Sequence, residues 1–170
     1  MSSFKLKIIL FGRDLVKNRL VQQIVKNRFA ADYKLTVGVD ILTKDVEFQL
    51  SELATLSLWD IGRQQRFEFI RSTFYKGAAG VILVFDLTKE ETYIEVRNLF
   101  TEIIQVTGHR PFLLIGNNVN SLKQDDETLF REEAREFAKK GGGFYIETSP
   151  NDIDIVEDAI CILIRRIIDL

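Results

Sequence analysis

A glycine, a lysine and an asparagine, Gly12, Lys17 and Asn18, lie where the first apolar run of the chain meets an amphipathic segment. The apolar run 4–11 predicts a buried strand, and residues 19–28 predict a helix. A strand-to-helix junction with the pattern G-x-x-x-x-G-K-[ST] binds phosphate through its backbone N–H groups, and its hydroxyl holds Mg²⁺. Residues 10–20, LFGRDLVKNRL, approach that pattern without completing it.

The loop aligns with the pattern in two ways. Without a gap, Lys17 falls on the second glycine and Asn18 on the lysine. With one residue missing from the loop, Lys17 falls on the lysine and Asn18 on the hydroxyl residue. In both alignments the Mg²⁺ hydroxyl is absent, and so is a glycine that lets a phosphate approach the backbone. A strand-to-helix turn that binds nothing is the alternative interpretation.

Composition narrows the class of protein. The chain has 170 residues, of which 46% are hydrophobic and 28% charged, which is typical of a soluble globular protein. We expect one domain, residues 1–170. The net charge of −2 argues against a nucleic-acid binder, because neutralising phosphates needs a basic surface.

The single cysteine, Cys161, lies in an apolar helical run, so we expect it to pack in the core in a reducing compartment. The single histidine, His109, has no acid or thiol near it in sequence, and we expect it at the surface.

We find no signal peptide, no transmembrane run and no C-terminal cysteine for lipidation. These observations predict a cytoplasmic protein that reaches a membrane only through a partner.

The alternation of elements predicts an α/β fold. Predicted strands cover 5–11, 39–50, 54–60, 80–86, 111–116 and 143–147, and predicted helices cover 19–28, 67–76, 91–106, 127–140 and 153–169. The runs 81–85, 112–115 and 144–146 are short and continuously apolar, as in parallel strands covered on both faces. We therefore expect a six-stranded, mostly parallel sheet with an antiparallel edge hairpin and about five helices on both faces. In such a sheet, ligands bind at the carboxyl ends of the strands.

The phrases that follow these strands resemble those of the Ras-like small GTPases, and most closely the Rab family, over nearly the whole chain. Residues 36–41, TVGVDI, are similar to the Rab phrase T-I-G-V-D-F of switch I. Residues 59–67, WDIGRQQRF, are similar to W-D-T-A-G-Q-E-R-F of switch II. The remaining similar phrases are 74–78, FYKGA; 83–88, LVFDLT; 116–120, GNNVN, where G-N-K-x-D is expected; and 147–150, ETSP, where E-T-S-A-K begins.

The resemblance implies a role for several residues. The spacing from Lys17 to Thr36 equals the Rab spacing from the loop lysine to the switch I threonine, so the loop has lost one residue and Lys17 takes the phosphates. Thr36 and Asp60 are then the Mg²⁺ residues, and Gln64 is the catalytic residue that orients the attacking water. By the same resemblance, Phe29 packs on the base edge.

Other positions depart from the family pattern. Asn18 replaces the Mg²⁺ hydroxyl, and Arg63 replaces the switch II glycine. The base phrases contain Asn117, Asn118, Asn120, Ser149 and Pro150. Asn120 replaces the aspartate that reads guanine, Asn118 replaces the lysine along the ring, and Pro150 has no N–H to donate. Each lost buried hydrogen bond costs about 1 to 3 kcal/mol, so guanine affinity falls by roughly three orders of magnitude or more.

The resemblance also implies a partner surface between the switches, made by Ile41, Trp59 and Tyr75, as an exposed apolar patch. Packing of Trp59 down onto the sheet is the alternative. The sequence thus indicates a Rab-like domain with an eroded guanine-nucleotide site, which binds GTP or GDP and Mg²⁺ weakly or not at all and acts as a protein-interaction module in signalling or trafficking.

Three alternatives stay open. The first is a functional but slow GTPase in which Arg13, Arg19 or Arg63 supplies phosphate charge. The second is a nucleotide-binding protein with altered base choice, since Asn120 suits a base such as xanthine. The third is a scaffold subunit that uses its outer helices.

Overall fold

The computed structural model describes residues 3–12, 17, 21, 39–62, 68–123, 129–149 and 152–169. Its six strands are β1 (Ser3–Gly12), β2 (Val39–Gln49), β3 (Glu52–Ile61), β4 (Gly80–Asp86), β5 (Phe112–Asn117) and β6 (Phe144–Glu147). Four α-helices lie in the described residues, α1 (Glu68–Tyr75), α2 (Glu90–Thr107), α3 (Leu129–Lys140) and α4 (Ile153–Ile168). A short 3₁₀ turn covers Val119–Ser121. Most of the predicted helix 19–28 falls outside the described residues; Lys17 and Val21 have helical backbone.

The strands form one sheet in the order β2-β3-β1-β4-β5-β6. The pair β2–β3 is antiparallel, and every other neighbouring pair is parallel. The predicted α/β fold, mostly parallel with an antiparallel hairpin at its edge, is confirmed.

The continuous apolar runs became the central strands because both of their faces are covered. Every residue of β4 and β5 is buried. On one face, α4 packs Val156, Ile160 and Leu163 onto the sheet, and on the other face α1, α2 and α3 cover it. Burial at this scale is the main stabilising term of the fold.

Local chemistry determines where α3 ends at its C-terminus. Lys139 and Lys140 lie in its last turn, where positive charge interacts favourably with the helix dipole. Gly142 then takes a φ of 77°, a left-handed conformation that glycine adopts without a steric penalty. The chain can therefore leave the helix and enter β6 within three residues. No helix in the described ranges is long and apolar enough to cross a membrane.

Candidate functional site

The carboxyl ends of the parallel strands bring the predicted site residues to one edge of the sheet. Gly12 ends β1, Asp60 lies next to the end of β3, Asp86 ends β4 and Asn117 ends β5. Ser149 follows β6 by two residues. The sequence expectation that these positions converge is consistent with the topology.

Lys17 is the most deeply buried charged residue of this edge, with no exposed surface. Its Nζ lies 2.6 Å from Oδ1 of Asp60 and donates to the carbonyl oxygen of Ile61 at 3.2 Å. Asp60 is itself only 4% exposed. The lysine expected on the phosphates and the aspartate expected near Mg²⁺ therefore contact each other directly, in surroundings that strengthen their attraction.

Gly12 is fixed by its neighbour in the sheet. It pairs with Val84 of β4, and a Cβ added at Gly12 would collide with the Val84 carbonyl oxygen. The first glycine of the loop is thus required by the close approach of two strands, independently of any ligand.

Asp86 organises the turn after β4. Its Oδ1 accepts from the backbone N–H of Thr88 at 2.8 Å and from the Thr88 hydroxyl at 2.6 Å. Burial acts to raise the pKa of Asp86, but the hydrogen bonds from Thr88 and from the Asn118 side chain outweigh it, so that the pKa of Asp86 is lowered. Asn118, which stands where the family has a lysine along the base, lies close enough to this carboxylate to help lower its pKa.

The segment after β5 is held by its own hydrogen bonds. The Oδ1 of Asn117 accepts from the N–H of Asn118 at 2.9 Å, and Asn118 has a left-handed backbone with a φ of 67°. Asparagine tolerates this conformation better than most residues. Asn120, the predicted base-reading residue, lies in the 3₁₀ turn and is exposed.

Asp152, a residue that the sequence analysis did not single out, hydrogen-bonds to Ser149. The Oδ2 of Asp152 accepts from the Ser149 hydroxyl at 2.7 Å and from its N–H at 3.2 Å, and the N–H of Asp152 donates to the Ser149 carbonyl at 3.0 Å. Asp152 is the residue that precedes α4. The available signal was the spacing S-x-x-D in front of an apolar helix, which resembles a capping box.

The expected partner surface is only partly as predicted. Ile41 is 52% exposed and lies opposite Trp59 across the β2–β3 pair. Trp59 is half-buried between two side chains, with the Lys7 Nζ 3.7 Å from its ring centroid and the Phe74 ring 6.2 Å away. Burial lowers the pKa of Lys7. Trp59 thus packs on neighbours while it keeps part of its ring accessible.

The placement of Tyr75 on this surface is wrong. Tyr75 has no exposed surface, and its hydroxyl donates to Oε1 of Glu102 at 2.9 Å. Successive residues of a helix point about 100° apart. Phe74 therefore faces Trp59, while Tyr75 turns toward α2. Burial and the charge of Glu102 raise the pKa of Tyr75, so its hydroxyl stays protonated and donates.

Arg71 joins the same contact and ties α1 to α2. Its guanidinium lies 3.1 Å from Oε2 of Glu102, and it stands 5.9 Å from the ring centroid of Phe11 in β1. Arg71 is only 7% exposed. Burial acts to lower the pKa of Arg71, but the hydrogen bond and charge of Glu102 and the neighbouring Tyr75 raise it. The middle and the C-terminal end of α1 are thus anchored to α2 by an arginine and a tyrosine that share one carboxylate.

Several predicted site residues lie outside the described residues. These are Asn18, Phe29, Thr36 and Gln64, together with Arg13, Arg19, Arg63 and Pro150. Their predicted roles stay predictions.

Comparison with known proteins agrees with this fold. The family model described as "Ras family" matches residues 7–169. The Ras-related protein RABG3b of Arabidopsis thaliana is 34% identical over 165 residues, which cover 92% of this chain and 81% of the relative. The Ras-related protein Rab7 of Cenchrus ciliaris is 34% identical over 95% of this chain and 81% of its own. The Ras-related protein Rab11D of Nicotiana tabacum is 30% identical over 96% of this chain and 73% of its own. With the sheet order and the residues at its carboxyl edge, these matches establish that the chain belongs to the Ras family and is a Rab-like small GTPase.

Proposed function

We propose that this Rab-like domain acts mainly as a protein-interaction module in signalling or trafficking, with a guanine-nucleotide site that binds GTP or GDP and Mg²⁺ weakly or not at all. The observation that carries the proposal is the buried contact between Lys17 and Asp60. By the family resemblance these are the phosphate lysine and a Mg²⁺ residue.

A nucleotide would have to compete with that contact. Separating a buried lysine from its carboxylate leaves both charges poorly compensated, at a cost of about 3 kcal/mol or more. Phosphates and Mg²⁺ can replace the lost partners, but only after the pair opens. An opening cost of this size reduces the apparent affinity by about two orders of magnitude.

The base side supports the same proposal. Ser149 uses both its N–H and its hydroxyl on Asp152, and the Asn118 side chain lies beside Asp86, where it helps to lower the pKa of that carboxylate. Asn120 offers an uncharged amide in place of the carboxylate that takes two hydrogen bonds from guanine in the family. The described residues therefore fit a tightly held guanine nucleotide poorly.

A candidate partner surface, in which Phe74 takes the place predicted for Tyr75, supports the interaction role. Ile41, Trp59 and Phe74 lie together between β2, β3 and α1, and the Arg71–Glu102 pair holds α1 against α2. An aromatic residue that is half-buried and held by neighbours is typical of binding hot spots. We propose that a protein partner docks here in a manner that does not depend on nucleotide, and that any association with membranes from the cytoplasm occurs through such a partner.

The nucleotide content of the purified protein is the first test. The protein is denatured, and the supernatant is separated by anion exchange. We expect far less than one guanine nucleotide per chain, and stoichiometric GDP or GTP would overturn the proposal.

A restored variant provides the matched control. Asn118→Lys, Asn120→Asp and Pro150→Ala together return the family's base-recognition residues. We expect guanine affinity, measured with a fluorescent GDP, to rise by roughly a hundredfold or more, because each recovered hydrogen bond contributes about 1 to 3 kcal/mol. An unchanged affinity would mean that these positions do not limit binding, contrary to the argument from the base side.

The partner surface has its own matched pair of variants. Ile41→Lys adds a charge at the proposed surface, and Leu50→Lys adds the same charge at the tip of the β2–β3 hairpin, where Leu50 is 92% exposed. We expect a partner that co-purifies with the chain to be lost from the first variant and kept by the second. Equal retention would place the partner on another face.

A further inference from the structure

An open strand edge lies at the opposite side of the sheet from β2. In the part of the chain that the structure describes, β6 is the last strand and pairs with β5. Thr148, just beyond β6, donates its N–H to the Gly116 carbonyl at 2.9 Å, and its own carbonyl accepts from Val119 at 3.1 Å. Because hydrogen-bonding direction alternates along a strand, the backbone groups of Tyr145 and Glu147 point away from β5. Such an edge is a template for one more strand.

A groove of about 550 Å³ runs along the beginning of this edge. Arg135 and Lys139 of α3 form one wall, and Arg166 of α4 forms the other. Phe144 and Tyr145 of β6 lie between them. The beginning of the strand edge is therefore flanked by basic residues of two helices.

The two arginines stand on opposite faces of β6. The guanidinium of Arg166 lies 4.6 Å from the ring centroid of Phe144, on the face covered by α4, and donates to the Gly143 carbonyl at 3.3 Å. The guanidinium of Arg135 lies 5.9 Å from the ring centroid of Tyr145, on the face covered by α3. Stacking on an aromatic ring holds a cation in place without using its hydrogen-bonding edge.

The charges around the groove remain positive after local pairing. Glu147 accepts from Arg131 at 2.6 Å and from Arg135 at 3.0 Å, and Glu132 accepts from Arg135 at 2.9 Å. None of the ion pairs between described residues involves Lys139 or Arg166, and both side chains are exposed. The groove thus presents two cations on the two sides of an open strand edge.

We propose that the β6 edge binds an extended, acidic segment of a partner protein by strand addition. Backbone groups of the segment would pair with Tyr145 and Glu147, and its side chains would alternate between the two faces, so that carboxylates reach Arg166 on one face and Lys139 with Arg135 on the other. A second copy of this chain is disfavoured as the occupant, because edge-to-edge pairing would bring like charges together. This site is separate from the surface around Trp59 and does not depend on the nucleotide proposal.

The probe is a fluorescein-labelled peptide of alternating glutamate and valine, titrated with the full chain and followed by fluorescence anisotropy. We expect saturable binding that weakens with salt, together with slower amide hydrogen exchange in residues 144–147. A peptide in which lysine replaces glutamate should not bind, and a peptide methylated on alternate backbone nitrogens should bind at least about tenfold more weakly.

Charge reversal on the protein tests the location. The double variant Lys139→Glu and Arg166→Glu should weaken peptide binding about tenfold or more. Lys89→Glu, at another exposed position just before α2, is the control and should leave the affinity within about twofold. Arg166→Gln, which keeps most of the side-chain length, should weaken binding in the same direction. Unchanged circular dichroism and melting temperature identify variants that are folded.

Three results would overturn the proposal. The acidic peptide fails to bind, or it binds the folded double variant as well as the parent, or it binds without protecting the amides of β6. In the last case the groove is a charged patch only. Vesicles containing phosphatidylserine are titrated in parallel, and if they bind through Lys139 and Arg166 while the peptide does not, the occupant is a membrane.

Discussion

The Lys17–Asp60 contact predicts a specific pattern of stabilities. Lys17 has no exposed surface, and the Asp60 side chain is 5% exposed, so removing either partner leaves the other charge buried. Loss of one member of a buried pair destabilises a protein by about 3 to 5 kcal/mol. We expect Lys17→Met and Asp60→Asn each to lower the free energy of unfolding by about 3 kcal/mol.

The double variant separates pairing from general damage. With both charges removed, no unpaired charge remains, so we expect a total loss of about 3 kcal/mol instead of the sum of the two single losses. The coupling energy of the cycle is then about 3 kcal/mol. The exposed pair Glu132–Arg135 is the matched control, with side chains 62% and 38% exposed. The cycle Glu132→Gln and Arg135→Met should give a coupling energy below about 0.5 kcal/mol.

Urea denaturation without nucleotide, in the presence of EDTA, measures these values, and the fluorescence of Trp59, the single tryptophan, reports unfolding. Single losses that add without coupling would refute the inference that the two side chains stabilise each other. A second arm adds about 1 mM GTP with Mg²⁺ to the parent. A nanomolar site would raise the free energy of unfolding by about 8 kcal/mol and a micromolar site by about 4 kcal/mol, whereas a site with a Kd near 1 mM would raise it by less than about 0.5 kcal/mol.

Three further predictions concern the scaffold of the site and the β2–β3 turn. Gly12→Ala should destabilise the fold by about 3 kcal/mol in the same urea assay, because the new methyl group collides with the backbone carbonyl of Val84; a loss below about 0.5 kcal/mol would show that the strands move apart easily. Ser51→Gly should stabilise by about 0.5 kcal/mol, since Ser51 has a φ of 66° and the relief of strain exceeds the entropy lost by glycine; Ser51→Ala is the control and should show no gain. Asp86→Ala should be destabilising at neutral pH, and because the folded pKa of Asp86 is lowered from 3.8, the difference from the parent should be complete above about pH 5 and shrink as the pH falls through the folded value. A difference that does not change between pH 7 and pH 3 would contradict the role of its charge.

The fold was accessible from the sequence because its signals are local. Continuous apolar runs mark strands covered on both faces, and the helical period of Val156, Ile160 and Leu163 marks α4. Glycines after α3 and basic residues in its last turn mark where that helix ends. The order of the family motifs along the chain then indicated the mostly parallel sheet and the Rab-like resemblance, since ligand-site residues follow the carboxyl ends of the strands.

The roles of individual side chains at the site were less accessible. Phe74 and Tyr75 are both aromatic and adjacent, so composition does not show which one faces Trp59. That choice depends on the rotation of α1 against β3 and α2, and the Glu102 carboxylate draws the tyrosine hydroxyl inward. The S-x-x-D spacing of Ser149 and Asp152 indicates their local pairing. The family phrase at Ser149 predicted contact with the base instead.

The sequence by itself determined the α/β sheet, its family and the positions at which its residues differ from the family's phrases, because these depend on residue types, apolar periodicity and order along the chain. Only the tertiary structure decided that Lys17 turns to Asp60 and to the Ile61 carbonyl, a partner 44 residues away along the chain. A long charged side chain pairs with whichever opposite charge the folded sheet places within its reach. Such distances exist only once β1 and β3 lie side by side.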